Sequence, residues 1–115
     1  KIANQIGLDG LFVSNHGGRQ LDTAVPPLSV LPEIAAEKGV MAILFDSGIR
    51  RGTDVVKALA LGADFVFAGR PFLYAATLGE EPGVAHAVNL LGQEVDRTVA
   101  LLGCTDLADT ASRLA

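Results

Sequence analysis

Two side chains set three residues apart define the chemistry this chain can support. His16 and Arg19 lie in the run Ser14-Asn15-His16-Gly17-Gly18-Arg19-Gln20-Leu21-Asp22, directly after the apolar segment Leu11-Phe12-Val13. Histidine has its unperturbed pKa near neutrality, so it takes and returns a proton readily. Arginine presents a planar fork that matches a carboxylate through two parallel hydrogen bonds. A base beside a carboxylate clamp suits proton abstraction from a small carboxylic acid. Gly17 and Gly18 allow a ligand close to the backbone.

Two further segments point to an anion. Phe45-Asp46-Ser47-Gly48-Ile49-Arg50-Arg51-Gly52-Thr53-Asp54 runs into a helical pattern. Gly48, Ile49 and Arg50 offer backbone N–H groups close to the N-terminus of a helix starting near Thr53, where the macrodipole favours negative charge. In Ala68-Gly69-Arg70-Pro71, Gly69 permits close approach and Arg70 adds a charge-assisted contact. Arg51 and Asp54 read as structural, a surface charge and a first-turn acid. Lys57 and His86 read as solvated.

Alternating strands and helices position these segments. Residues 1–6 read as the tail of a helix with Gly7 at C′. Residues 10–13 form a short apolar strand of the kind found in parallel sheets covered on both faces. Leu28, Leu31, Ile34 and Ala35 recur at helical spacing. A start near Ser29 would leave Pro32 in the first turn, where it is tolerated. Residues 40–45 and 65–68 are the second and third strands. Between them, Gly52-Thr53-Asp54 caps a helix bearing Val55, Val56 and Leu59. This order argues for right-handed βαβ units on a parallel sheet.

A connecting stretch at 72–79, partly helical, precedes the longest helix, opened by Pro82. Val84, Val88, Leu91, Val95, Thr98 and Leu102 fall on one stripe of it. Thr105-Asp106 caps a short terminal helix over residues 107–114.

Bulk properties narrow the class. Half of the 115 residues are hydrophobic and 19% are charged, a globular composition. The net charge is -4 with no basic block, which argues against a nucleic-acid partner. The single cysteine, Cys104, excludes an internal disulfide framework and a cysteine-rich metal site, and reads as a small buried hydrophobe. No apolar run reaches the roughly 18–20 residues that span a bilayer. We expect a cytoplasmic protein, with peripheral association with a membrane as the alternative, and no metal.

The three segments together resemble the FMN-dependent 2-hydroxy-acid oxidases and dehydrogenases, which include glycolate oxidase, the flavin lactate and mandelate dehydrogenases and lactate monooxygenase. Residues 14–22 are similar to that family's active-site signature, residues 45–63 to its flavin-phosphate segment, and residues 68–71 to the arginine that closes over the phosphate. The resemblance runs over nearly the whole chain. It implies a (β/α)8 barrel, in which working groups sit at the C-terminal ends of the strands. All three segments follow strands and so share one rim. A complete barrel needs roughly 250 residues. The chain therefore reads as the C-terminal three strand–helix units of one barrel domain plus C-terminal helices, with the N-terminal part absent. Counting back, its last two strands are candidates for strands 7 and 8, whose loops commonly hold phosphate.

The resemblance implies FMN as cofactor, a small L-2-hydroxy acid as substrate, and a homo-oligomeric parent enzyme. His16 would be the active-site base, acting on the α-carbon proton by a carbanion route or on the hydroxyl proton by a hydride route. Arg19 would hold the substrate carboxylate. Ser14 would meet the flavin ring edge, or be a plain strand-end serine. Asp46 would partner the ribityl chain, or be a turn residue. Ser47, Gly48, Ile49, Arg50, Gly69 and Arg70 would complete the cofactor site. Ser47 stands where many members carry glycine. The family's flavin-contacting lysine, its histidine-paired aspartate and its pocket tyrosines have no counterpart here; the only tyrosine, Tyr74, lies beyond the third segment. Another phosphate-binding barrel enzyme, or a non-catalytic barrel fragment, is the competing reading.

Overall fold

The computed structural model describes residues 1–113. Its elements are α1 (Ile2–Gln5), β1 (Gly10–Val13), α2 (Pro27–Ala36), β2 (Ala42–Phe45), α3 (Gly52–Ala60), β3 (Phe65–Val66) and α4 (Arg70–Leu101). Short 3-10 segments cover His16–Gly18 and Leu107–Arg113. The strands make one parallel sheet in the order β1-β2-β3. Val13 pairs with Phe45, and Phe45 with Val66, so all three strands end level with one another. The α/β alternation read from the sequence is thus present.

One sheet face is covered and the other open. Val13, Ile43 and Phe45 pack with Leu31 of α2, Ala58 of α3 and Ile49. Each fully buried side chain of this size contributes roughly 1.5–3 kcal/mol. The opposite face presents Phe12, Phe65 and Phe67 half exposed, their rings 5.1 Å apart in successive pairs. The expectation of a sheet covered on both faces does not hold within these residues.

Several boundaries differ from the sequence reading. Helix α2 begins two residues earlier than Ser29, with Pro27 at its first position. Pro32 then lies beyond the first turn and has no N–H for the Leu28 carbonyl four residues back. Strand β2 starts at Ala42, because Val40 stands fully exposed in a turn. Strand β3 is only Phe65–Val66, although the Phe67 N–H still donates to the Phe45 carbonyl at 2.8 Å. Residues 72–78 belong to α4, which breaks at Gly79 and Glu80; Glu80 takes φ 49°. Pro82 opens the second segment, as its position suggested. Val84, Leu91, Val95 and Thr98 of the expected stripe are partly buried, whereas Val88 and Leu102 are exposed. The terminal segment is 3-10 over Leu107–Arg113, with Asp106 Oδ1 accepting from the Ala108 N–H at 2.9 Å. Leu114 lies outside the described residues. Cys104 is buried. Among the described residues no helix is long and apolar enough to cross a membrane.

Candidate active site

Each strand runs out into a loop at the same end of the sheet. After β1 comes a turn in which His16, Gly17 and Gly18 have φ of 58°, 68° and 72°. Three successive left-handed residues are costly for anything but glycine. Local hydrogen bonds hold them. The Asn15 Oδ1 accepts from the Gly18 N–H at 3.1 Å, and the Ser14 Oγ accepts from the His16 N–H at 3.0 Å.

After β2 the chain turns through Ser47 (φ 81°) and Gly48 (φ 80°). The Ile49 side chain is buried in the core, which fixes the loop and leaves only its backbone toward the ligand side. After β3, Gly69 caps α4 and Arg70 and Pro71 open it.

The three loops enclose one cavity of about 610 Å³. That volume lies within the usual small-molecule range of roughly 300–1,000 Å³. His16, Arg19, Asp46, Ser47, Gly48, Ile49, Arg50, Gly69 and Arg70 all line it, together with Asp22. Ser14 does not; it lines a separate groove with Phe12, Val25 and Met41. Of the residues expected to share the site, nine come together and one stands apart, supporting the His16 amide from behind.

The electrostatics favour an anion. Arg19, Arg50 and Arg70 face the cavity against Asp22 and Asp46. Among the described residues none of these three guanidinium groups is in an ion pair. At Gly48 and Gly69 an added Cβ would meet open space, so a ligand can approach both backbones. This donor set fits a phosphate and a carboxylate.

Helix α3 is less available than its sequence suggests. The Arg50 and Arg51 N–H groups donate to the Asp54 Oδ2 at 3.0 and 2.9 Å. The Gly52 N–H donates to the Glu94 Oε2 at 2.8 Å. Two carboxylates therefore already occupy this helix N-terminus. Of the amides expected to cradle an anion, that of Arg50 is engaged, whereas those of Gly48 and Ile49 have no hydrogen-bond partner among the described residues. Glu94 also grips Arg51, its Oε1 lying 2.9 Å from the Nε. This pair holds the Arg51 guanidinium above, and the Glu94 carboxyl below, their usual pKa values. Arg51 and Asp54 are structural, as expected.

Two residues were not legible beforehand. Asn15 precedes a Gly-Gly turn, a local signal for an Asx cap that points to it in retrospect. Glu94 lies 42 residues from the amide it caps and gives no local signal.

The chain matches the FMN-dependent dehydrogenase family over residues 1–115. It is 50% identical to an L-lactate oxidase of Nostoc sp. over 108 residues, 93% of this chain and 30% of that protein. It is also 50% identical to the (S)-mandelate dehydrogenase of Pseudomonas putida over 101 residues, 88% of this chain and 25% of that protein. A crystal structure of an (S)-mandelate dehydrogenase mutant superposes with a TM-score of 0.91 at 46% identity, covering 96% of this chain and 31% of the other. A mandelate oxidase structure with benzoyl-formic acid gives 0.89 at 44%, covering 96% and 33%. The chain spans about a third or less of the length of the proteins it matches. The converging loops, the guanidinium groups that line their cavity and these likenesses together establish that the chain belongs to the FMN-dependent dehydrogenase family.

Proposed function

We propose that this chain supplies the C-terminal three strand–helix units of a (β/α)8 enzyme that oxidises a small L-2-hydroxy acid to the 2-oxo acid with FMN. The observation that carries this reading is the single cavity shared by His16, Arg19 and Arg70, each from a loop at the carboxyl end of the sheet. In such barrels that end holds the chemistry, and the loops after strands 7 and 8 hold phosphate. The half-exposed Phe12, Phe65 and Phe67 would then face the barrel interior.

Each residue has a role in this proposal. The Gly48, Ile49 and Gly69 backbones and the Arg50 and Arg70 guanidinium groups hold the FMN phosphate. Asp46 partners the ribityl chain, and Ser14 stays behind the His16 turn as its support. Ser47 contributes to the cofactor site only through its backbone, because its hydroxyl is taken by Asp46, Asn15 and Gly17. Arg19 grips the substrate carboxylate through its fork and so orients the α-carbon toward His16. His16 accepts the proton that leaves, from carbon or from hydroxyl. Bound FMN supplies the two-electron acceptor. Named relatives that act on lactate and mandelate support a substrate of this class.

The test is anaerobic flavin reduction by the enzyme that carries this sequence. Lactate, glycolate or mandelate should bleach the flavin, and His16→Gln should slow bleaching at least about a hundredfold with FMN still bound. Unaltered bleaching in His16→Gln would refute the assignment.

A further inference from the structure

Ser47 has the left-handed backbone of a glycine but is not one, and its hydroxyl is fully committed. The Oγ–H donates to the Asp46 Oδ1 at 2.7 Å. The same oxygen accepts from the Asn15 N–H at 3.3 Å and from the Gly17 N–H at 3.1 Å. A hydroxyl has one proton and two lone pairs, so no capacity is left for a ligand. The two amides it binds belong to the residues on either side of His16.

The chemistry of this contact runs in one direction. Asp46 takes the only proton of Ser47, which turns both lone pairs toward the first loop. Those lone pairs then fix the peptides that flank the imidazole. His16 itself sits at φ 58°, an unfavourable conformation for a residue with a Cβ. It persists only if its surroundings over-determine it. Beside the local bonds from Ser14 and Asn15, Ser47 adds to that constraint from the loop after β2, 30 residues along the chain from Gly17.

We propose that Ser47 is a positioning residue: its hydroxyl, aimed by Asp46, clamps the amides on both sides of His16 and sets where the imidazole stands in the cavity. The proposal rests on the reading of His16 as the base. Under it, a serine at this position trades backbone ease for a tie between the first two loops.

Two variants of the FMN-loaded enzyme test it. Ser47→Gly removes the hydroxyl and relieves the backbone; Ser47→Ala removes the hydroxyl and keeps the strain. We expect both to lower kcat by about ten- to a hundredfold, the effect of a small misplacement of a reacting group. KM and FMN affinity should change less than about threefold, since the Ser47 hydroxyl has no hydrogen-bonding capacity left for substrate or cofactor. Hydrogen exchange at Asn15 and Gly17 should quicken at least about fivefold in both variants, as loss of one hydrogen bond implies. Full turnover in Ser47→Gly overturns the proposal, whatever its exchange shows, because relief of strain is then all that matters. Unchanged exchange in both variants overturns it as well. A wild-type enzyme that reduces no flavin with any 2-hydroxy acid refutes the functional reading instead, and the exchange measurement still decides whether the clamp exists.

Discussion

The Arg70 guanidinium donates to the Gly17 carbonyl at 2.8 Å, tying the third loop to the first across the mouth of the cavity. The Gly17 N–H meanwhile donates to Ser47 on the second loop. One residue, Gly17, thus joins three loops that are remote in sequence, through its N–H on one side and its carbonyl on the other. A Cβ on Gly17 would lie 2.6 Å from the Arg70 Nη2, and the φ of 68° would strain it besides. Gly17→Ala should therefore cost about 1–2 kcal/mol of stability and displace Arg70. FMN affinity, followed by flavin fluorescence, should fall about tenfold; Arg70→Lys should produce a similar loss by removing the fork.

Arg19 is exposed on the cavity wall and pairs with no carboxylate among the described residues. Arg19→Lys keeps the charge and loses the fork. The KM for the 2-hydroxy acid should rise about tenfold with a smaller change in kcat. Steady-state kinetics check this; an unchanged kcat/KM counts against the carboxylate role.

Gly52 lies where α3 meets α4. A Cβ there would collide with the Glu94 backbone carbon and the Val95 nitrogen, both main-chain atoms with little room to yield. Gly52→Ala should destabilise the protein by about 1–3 kcal/mol through overpacking. Chemical denaturation should show an earlier midpoint.

Acid should weaken the fold through two carboxylates. Hydrogen bonds from Lys38 at 2.6 and 2.8 Å, then from the Ile43 N–H at 2.7 Å, hold the Asp64 carboxyl below its usual pKa. Hydrogen bonds from Arg51 and from the Gly52 N–H do the same for Glu94. A depressed folded pKa means that the unfolded chain binds protons first. The stabilisation is therefore complete above the ordinary carboxylate pKa of about 4 and is lost as pH falls through the lower folded values. Thermal unfolding should show a modestly lower Tm on the acid side, and Asp64→Asn should reduce that fall.

The open sheet face predicts the behaviour of the 115 residues expressed alone. Phe12, Phe65 and Phe67 are 53%, 59% and 41% exposed. Uncovered, they present an apolar patch that invites association. The isolated chain should elute above its monomer mass and bind FMN weakly. Stoichiometric flavin on a monomer would contradict this.

Much of the architecture is written locally. Short apolar runs, glycine stops and helical spacing suffice for β1, α3 and the parallel βαβ order, since each depends on neighbours in the chain. His16 and Arg19, Gly48 and Arg50, Gly69 and Arg70 are also visible, because each set follows a strand end. The boundaries of α2, β2 and β3 were not, since Pro32 is tolerated by packing and strand length is set by pairing. Tertiary structure alone decided which donors are spent. Glu94 reaches the amide of Gly52, Asp54 takes that of Arg50, and the Ser47 hydroxyl is spent on Asn15 and Gly17. Residue types and spacing specify what a side chain can do; only the packing of distant segments determines which partner claims it.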